Sequence, residues 1–98
     1  MVHVGLLARL EAKPGKEADV ANLLTSALAL ANAETQTTVW FALKIGPTTF
    51  GIFDAFADDP GRQAHLSGQI ASALMAKAPE LLSQAPVIES VDILAAKM

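Results

Sequence analysis

The sequence predicts an α+β domain in which four antiparallel strands and two helices follow one another in the order β-α-β-β-α-β. Apolar residues alternate with a period of two near both ends of the chain and in its middle. Between these stretches the apolar spacing changes twice to the period of a helix. A short Gly46-Pro47 break separates two runs of aromatic and β-branched residues, which is typical of a β-hairpin.

The first strand and the first helix are predicted at residues 2–12 and 17–31. Every second residue from Val2 to Ala12 is apolar, and residues 13–16 have the composition of a turn. The helix has one apolar face at i, i+3, i+4 and i+7 spacing, formed by Val20, Leu23, Leu24, Ala27, Leu28 and Ala31. Residues 32–36 interrupt this pattern and should connect the helix to the hairpin.

The hairpin is predicted at residues 37–45 and 49–57, and both of its faces carry large apolar side chains. In the first strand, Trp40 lies on one face and Phe41 on the other; in the second, Ile52 and Asp54 share a face opposite Phe53. Strands that are apolar on both faces are normally covered on both. Two helices can cover only one face of the sheet, so we expect a second copy of the chain on the other.

The second helix is predicted at residues 60–78, and the last strand at residues 87–96. Asp59 should be the N-cap, with Pro60 at the first helical position, and Pro79 should end the helix. His65, Gln69 and Ser72 form a polar stripe beside the apolar one. With right-handed crossovers, this order of elements is the ferredoxin-like arrangement, in which both helices lie on one face of the sheet.

Composition limits the functions that the chain can have. Its 98 residues predict one domain, 1–98, and 52% of them are hydrophobic, a surplus that favours an oligomer. A net charge of −3 without a basic cluster argues against nucleic-acid binding. The absence of cysteine excludes disulfides and thiolate sites. No signal-peptide pattern or membrane-length apolar run is present, so we expect a cytoplasmic protein with no membrane partner.

The chain resembles the antibiotic-biosynthesis-monooxygenase-like (ABM-like) domain over nearly its whole length. The resemblance rests on the order of elements, the Trp40-Phe41 pair, the FGIFDAF strand at residues 50–56 and the helix that carries His65. It implies a dimeric α+β barrel, in which two ferredoxin-like sheets pack together. The better-known members oxidise polyphenols, anthrones or quinols with dioxygen without metal or flavin, whereas others degrade haem, process signalling molecules or have no assigned activity.

The resemblance also implies candidate catalytic and substrate-binding residues. His65 matches a histidine on the helix after the third strand, Trp40 a tryptophan of the anthrone-oxidising members, and Asp54 an acidic residue of the third strand. Gln69 stands where many members have a second histidine, and Gln36 where the anthrone-oxidising members have asparagine. The haem-degrading members need an asparagine and a tryptophan that this chain lacks, so haem degradation is disfavoured.

Cofactorless oxygenation requires a base, donors for a developing oxyanion and a dry pocket. His65 could serve as base or donor, and Trp40 offers one N–H and a flat surface. We expect both to be catalytic, with His65 partly exposed, in a pocket between the helices and the sheet. The expected substrate-binding residues are Gln36, Asp54, Phe41, Phe53 and Gln69.

Other interpretations of these residues remain open. His65 could make a structural hydrogen bond, Trp40 could belong to the core, and Asp54 could orient His65 or pair with Arg9 or Arg62. There is no phosphate-binding loop, His-x-x-x-His pair or serine nucleophile motif, so neither a cofactor nor a metal is expected. Two functions follow: a cofactor-independent monooxygenase of a small aromatic, polyphenol or quinol-like substrate, or a non-catalytic dimeric barrel that binds a small apolar molecule.

Overall fold

The computed structural model describes residues 1–98 and confirms the α+β fold with a single four-stranded antiparallel sheet. The elements, in chain order, are β1 (Val4–Glu11), α1 (Glu17–Ser26), α2 (Leu28–Ala33), β2 (Val39–Lys44), β3 (Thr49–Phe56), α3 (Asp59–Leu66), α4 (Gln69–Leu81) and β4 (Val87–Asp92). The strands lie side by side in the order β2-β3-β1-β4, and every neighbouring pair is antiparallel. This is the predicted ferredoxin-like topology.

The core lies between the helices and one face of the sheet. The pairing of β1 with β3 sets Leu6 opposite Asp54, Ala8 opposite Ile52 and Leu10 opposite Phe50, so the alternating residues of both strands share a face. The main core cluster consists of Ala8, Leu10, Ala12, Val20, Leu24, Phe50, Ile52, Leu74, Ala78, Leu81 and Leu82. The predicted apolar faces of the first strand and the first helix are therefore the ones that are buried.

Each predicted helix is divided into two, which corrects the sequence-based boundaries. At the first break, the hydroxyl groups of Thr25 and Ser26 donate hydrogen bonds to the carbonyl oxygens of Ala21 and Leu23. At the second break, Ser67 donates to the carbonyl oxygen of Gln63, and Gly68 is the N-cap of α4. Serine, threonine and glycine compete with or weaken regular helical hydrogen bonding, which explains why the breaks occur at these positions.

The ends of the second helical region also differ from the prediction. Asp58, not Asp59, is the N-cap of α3, since its side chain accepts a hydrogen bond from the Gly61 N–H at 3.0 Å. Pro79 does not end α4, which continues to Leu81. A proline removes only one backbone donor, and burial of Leu81 and Leu82 in the core stabilises the last turn.

The strands are shorter than predicted at most of their ends, and β4 stops at Asp92 rather than at residue 96. The face of the sheet away from the helices remains apolar and open in a single chain. Phe41 lies opposite Phe53 on this face, with 53% of Phe41 exposed, and Leu43, Ile45 and Val87 are also exposed. None of the helices has the length and apolar character needed to cross a membrane, the longest having 13 residues.

Candidate functional site

The candidate site is centred on His65, a residue of α3 that is only 7% exposed. Its Nε2 lies 2.9 Å from Oδ2 of Asp54, and its Nδ1 lies 2.6 Å from Oε1 of Glu34. The ring of Phe56 packs against the imidazole at a centroid distance of 5.4 Å. The histidine is therefore buried, not partly exposed as predicted, and a carboxyl group contacts each of its ring nitrogens.

Three separate elements bring these side chains together. Asp54 is on the helix-facing side of β3, where its apolar neighbours Ile52 and Phe56 are buried. The Asp58 cap fixes the start of α3, which carries His65 across that face. Glu34 is the C-cap residue of α2, and the Thr37 hydroxyl donates a 2.7 Å hydrogen bond to the same Oε1 that His65 contacts.

The surroundings of His65 strongly perturb its pKa. Burial is the largest single influence and acts to lower the pKa, because it disfavours the charged ring. The hydrogen bonds to Asp54 and Glu34, together with the charges of these two groups, outweigh burial and raise the pKa of His65 to about 9. At neutral pH the ring is consequently a cation that donates a hydrogen bond from each nitrogen.

This arrangement changes the chemistry that His65 can perform. An imidazolium cannot accept a proton, so the resting side chain is an acid and an electrostatic stabiliser rather than a base. The two carboxyl groups approach opposite edges of the ring and do not converge on a common point. No group of three histidine, cysteine or acidic side chains is arranged to hold a metal ion.

His65 forms part of the walls of two cavities. The outer one is a polar cleft of about 250 Å³, which we call the outer cleft, and it is lined by Ala33, Glu34, Thr35, Gln36, Thr37, Gly61, Ala64 and His65. The other, which we call the inner cavity, measures about 40 Å³ and lies between the sheet and α3 and α4. Asp54 lines the inner cavity and Glu34 the outer cleft, so the ion-paired histidine separates the two spaces.

Some of the residues proposed from the sequence lie together at this site. Asp54 contacts His65 directly and pairs with neither arginine considered for it: Arg62 pairs with Asp59 at 2.8 Å, and Arg9 lies on the opposite face of the sheet. Gln36 lines the outer cleft. Trp40, expected to be catalytic, is the cross-strand neighbour of Asp54 but lines neither cavity; it packs against the core, and its indole N–H is buried without a hydrogen-bond partner. The second carboxylate oxygen of Asp54, Oδ1, is likewise buried and unpartnered.

Other proposed residues lie away from His65. Phe41 and Phe53 face each other on the side of the sheet opposite the helices, because their register positions alternate with those of Trp40 and Asp54. Gln69 is exposed at the start of α4 and lines neither of the two cavities. The break at Ser67 and Gly68 separates it from the helix that carries His65, so the expected polar stripe is not continuous.

Glu34 is the site residue that the sequence-based prediction missed. It was included in the stretch that connects the first helix to the hairpin. One signal could have drawn attention to it: Glu34 is the sole acidic residue between Asp19 and Asp54. No other charged residue lies between Asp19 and Lys44. An isolated carboxylate often has a specific partner when it is partly buried, and the exposed fraction of this side chain is 19%.

No family model matches the sequence, and no curated protein matches it. Among solved structures, a protein of unknown function from Nitrosomonas europaea is 66% identical, with a TM-score of 0.98 over 100% of this chain and 95% of that one. A candidate antibiotic biosynthesis monooxygenase from Caulobacter crescentus is 21% identical, with a TM-score of 0.79 over 96% and 92%. Another from Nitrosomonas europaea is 12% identical, with a TM-score of 0.83 over 94% and 99%.

Proposed function

Because this chain belongs to the same family as the Nitrosomonas europaea protein of unknown function and has the ABM-like fold, we propose that it is a cofactor-independent monooxygenase. Its substrate would be a small aromatic, polyphenol or quinol-like molecule, and its oxidant dioxygen. One observation carries the proposal: a buried imidazolium, held between two carboxylates, forms part of the wall of a 250 Å³ cleft. The positive charge of a buried and fixed side chain stabilises an anion formed beside it.

The residues of the cleft have complementary roles in this reaction. Glu34 is the nearest candidate base, since its side chain is 19% exposed and lines the cleft. It would accept the proton of a substrate hydroxyl group or activated C–H group. His65 would stabilise the resulting anion, and the Gln36 amide would donate a hydrogen bond to a substrate carbonyl group. Asp54 would hold His65 in its protonated form and is therefore a positioning residue.

The reaction needs no external reductant when the substrate supplies the electrons. An activated CH₂ group, as in an anthrone, becomes a carbonyl group by taking one atom of dioxygen. The second oxygen atom leaves as water with the two hydrogen atoms removed from the substrate. Proton removal is the step that the protein must assist, because the resulting anion is electron-rich enough to reduce dioxygen directly. General base catalysis of this kind contributes roughly 10²–10⁴-fold.

We further propose that the chain acts as a cytoplasmic homodimer joined through the open faces of two sheets. The support is the row of exposed apolar side chains on that face, in particular Phe41, Leu43 and Ile45. A permanent interface of this type should bury more than about 1,000 Å². Phe41 and Phe53 would then contribute to the dimer interface rather than to the cleft of their own chain.

The alternative is a non-catalytic dimeric barrel that binds a small apolar molecule. One observation favours it: both ring nitrogens of His65 are already hydrogen-bonded, which is also the arrangement of a structural link between elements. In that case Asp54, His65 and Glu34 connect β3, α3 and the end of α2 without taking part in chemistry. Such a protein would bind aromatic molecules but would not consume oxygen.

The test is oxygen uptake by the purified protein with a panel of anthrones, quinols and catechols, with and without added metal or flavin. We expect uptake that is stoichiometric with substrate loss and that neither addition increases. Glu34→Gln and His65→Gln should each lower turnover by about 10²–10⁴-fold. His3→Gln, at an exposed histidine, is the matched control and should be fully active. Binding of panel members without oxygen uptake would favour the non-catalytic barrel instead.

A further inference from the structure

The inner cavity differs from the outer cleft in both size and chemistry. It measures about 40 Å³, and eight of its ten lining residues are hydrophobic. The apolar lining is formed by Leu6, Ala8 and Ile52 of the sheet and by residues of α3, α4 and β4, and the only polar members are Asp54 and His65. This largely apolar space, which opens to solvent beside Leu66 and Ile88, therefore borders directly on the ion pair of the candidate site.

The volume of the inner cavity limits what can occupy it. A dry apolar cavity that binds benzene measures about 150 Å³, and one water molecule needs only about 10–15 Å³. A space of 40 Å³ therefore excludes an aromatic ring and admits a molecule of two or three atoms. The organic substrate must bind elsewhere, and the outer cleft, at 250 Å³, is large enough for an aromatic ring.

A water molecule in the inner cavity would have few hydrogen-bond partners. A buried water molecule normally makes two to four hydrogen bonds to the protein. The Nε2 of His65 already donates to Asp54, so Oδ1 of Asp54 is the one polar atom of the lining that lacks a partner. A water molecule could therefore bond only to this carboxylate oxygen, whereas the remaining walls are hydrocarbon and suit a small apolar gas, so the two compete for the cavity.

We infer that the inner cavity is a binding site for dioxygen, separated by His65 from an organic substrate in the outer cleft. Gas could enter between α3 and β4, where the lining residues Leu66 and Ile88 are 36% and 44% exposed. The catalytic role of this site rests on the proposed function, whereas the binding of dioxygen there does not. It assigns the two reactants to opposite sides of one cationic side chain.

This placement suits the first redox step of the proposed reaction. One electron passes from the substrate anion to dioxygen, which oxidises the anion to a radical and reduces dioxygen to superoxide. Negative charge therefore moves from the outer cleft to the inner cavity, and no proton moves. His65 lies against both spaces, so its positive charge stabilises the electron donor before the transfer and superoxide after it. Asp54 also lines the inner cavity, and its negative charge opposes superoxide there, so superoxide must leave the cavity to form the C–O bond with the substrate radical.

The direct test uses dioxygen itself as a paramagnetic probe in the absence of any organic substrate. Methyl relaxation rates are measured by NMR under dioxygen pressure and under the same pressure of nitrogen. We expect the methyl groups of Ile52, Ile70 and Leu74, which line the inner cavity, to relax several-fold faster under dioxygen than those of Val20 and Leu24. The latter two are buried equally well in the same core but do not line the cavity.

Substitutions in α4 test whether dioxygen binds in the inner cavity. Ala71→Leu should abolish the enhancement, because Ala71 lines the cavity and three additional carbon atoms would occupy it. Ala73→Leu is the matched control, since Ala73 is on the same helix and similarly half-buried but does not line the cavity. Ala71→Val gives a milder version if the leucine variant does not fold. The inference would be overturned if the lining methyl groups relaxed as slowly as those of Val20 and Leu24. It would also be overturned if a crystal structure under xenon pressure showed an ordered water molecule in the cavity that xenon does not displace.

Once a substrate is known, the two proposals can be separated. Ala71→Leu should raise the KM for dioxygen about tenfold or more and leave the KM for the organic substrate unchanged. An unchanged KM for dioxygen in a folded Ala71→Leu protein would overturn the inference even if the enzyme is active. Dioxygen binding in the cavity without any oxygen consumption would support this inference and refute the proposed monooxygenase.

Discussion

Replacing His65 by glutamine should remove a pH dependence of stability that the wild-type protein has between about pH 6.5 and pH 10. The folded protein holds the pKa of His65 at about 9, above the ordinary value of 6.5. A group whose pKa is raised by folding stabilises the folded state fully below its unfolded pKa. That stabilisation is lost as the pH rises through the folded pKa, because the proton then leaves both states.

The magnitude follows from the two pKa values. A rise from 6.5 to about 9 corresponds to a preference for the protonated ring of about 3 kcal/mol. This is an upper figure: Asp54 is almost fully buried, but the exposed fraction of Glu34 is 19%, so solvent screens one of the two ion pairs. For a domain of this size, 3 kcal/mol is a substantial part of the total free energy of unfolding.

The assay is urea denaturation at a single protein concentration, repeated across this pH range for three proteins. Between the lower and the upper limit of this pH range, the free energy of unfolding of the wild type should fall by up to about 3 kcal/mol because His65 loses its proton. His65→Gln should be less stable near neutral pH, because two carboxylates lose their cation, but should show almost none of this loss at higher pH. His3→Gln removes the only other histidine and should keep the wild-type dependence.

Two results would refute the reasoning. Equal pH dependence in the wild type and in His65→Gln would mean that His65 is not the titrating group. An NMR titration in which the His65 ring loses its proton near pH 6.5 would mean that the ion pairs with Asp54 and Glu34 do not outweigh burial. In either case the imidazolium could not serve as the fixed positive charge of the proposed reaction.

Two further predictions concern Trp40 and the open face of the sheet. Trp40→Phe removes a buried N–H group that has no partner and part of a ring that packs against the core, so the free energy of unfolding should fall by about 1–2 kcal/mol through lost packing alone; a loss well above this would indicate that the N–H also has a partner within the protein. Phe41→Glu should convert the proposed dimer to a monomer in sedimentation velocity, whereas Met75→Glu, at a residue of nearly equal exposure on α4, should not. A dimer that survives Phe41→Glu would place the interface elsewhere.

The burial of alternating residues could be predicted from the sequence because it depends on local periodicity. The strand and helix periods determine which side chains share a face, and they correctly separated Trp40 from Phe41 and Asp54 from Phe53. The boundaries of the helices could not be predicted in the same way. The helix breaks depend on side-chain hydrogen bonds from Ser26 and Ser67, and the continuation of α4 past Pro79 depends on packing of its last turn.

The sequence by itself determined the order of elements and the apolar face that forms the core, and it left open whether Asp54 contacts His65 or an arginine. Only the tertiary structure decided the protonation state of His65, because its pKa depends on two carboxyl groups that are 11 and 31 residues away along the chain. No local pattern connects Glu34 to His65, since their contact arises from the packing of α3 against the end of α2. Cavities are likewise spaces between elements, so the outer cleft and the inner cavity on either side of His65 have no signature in the sequence.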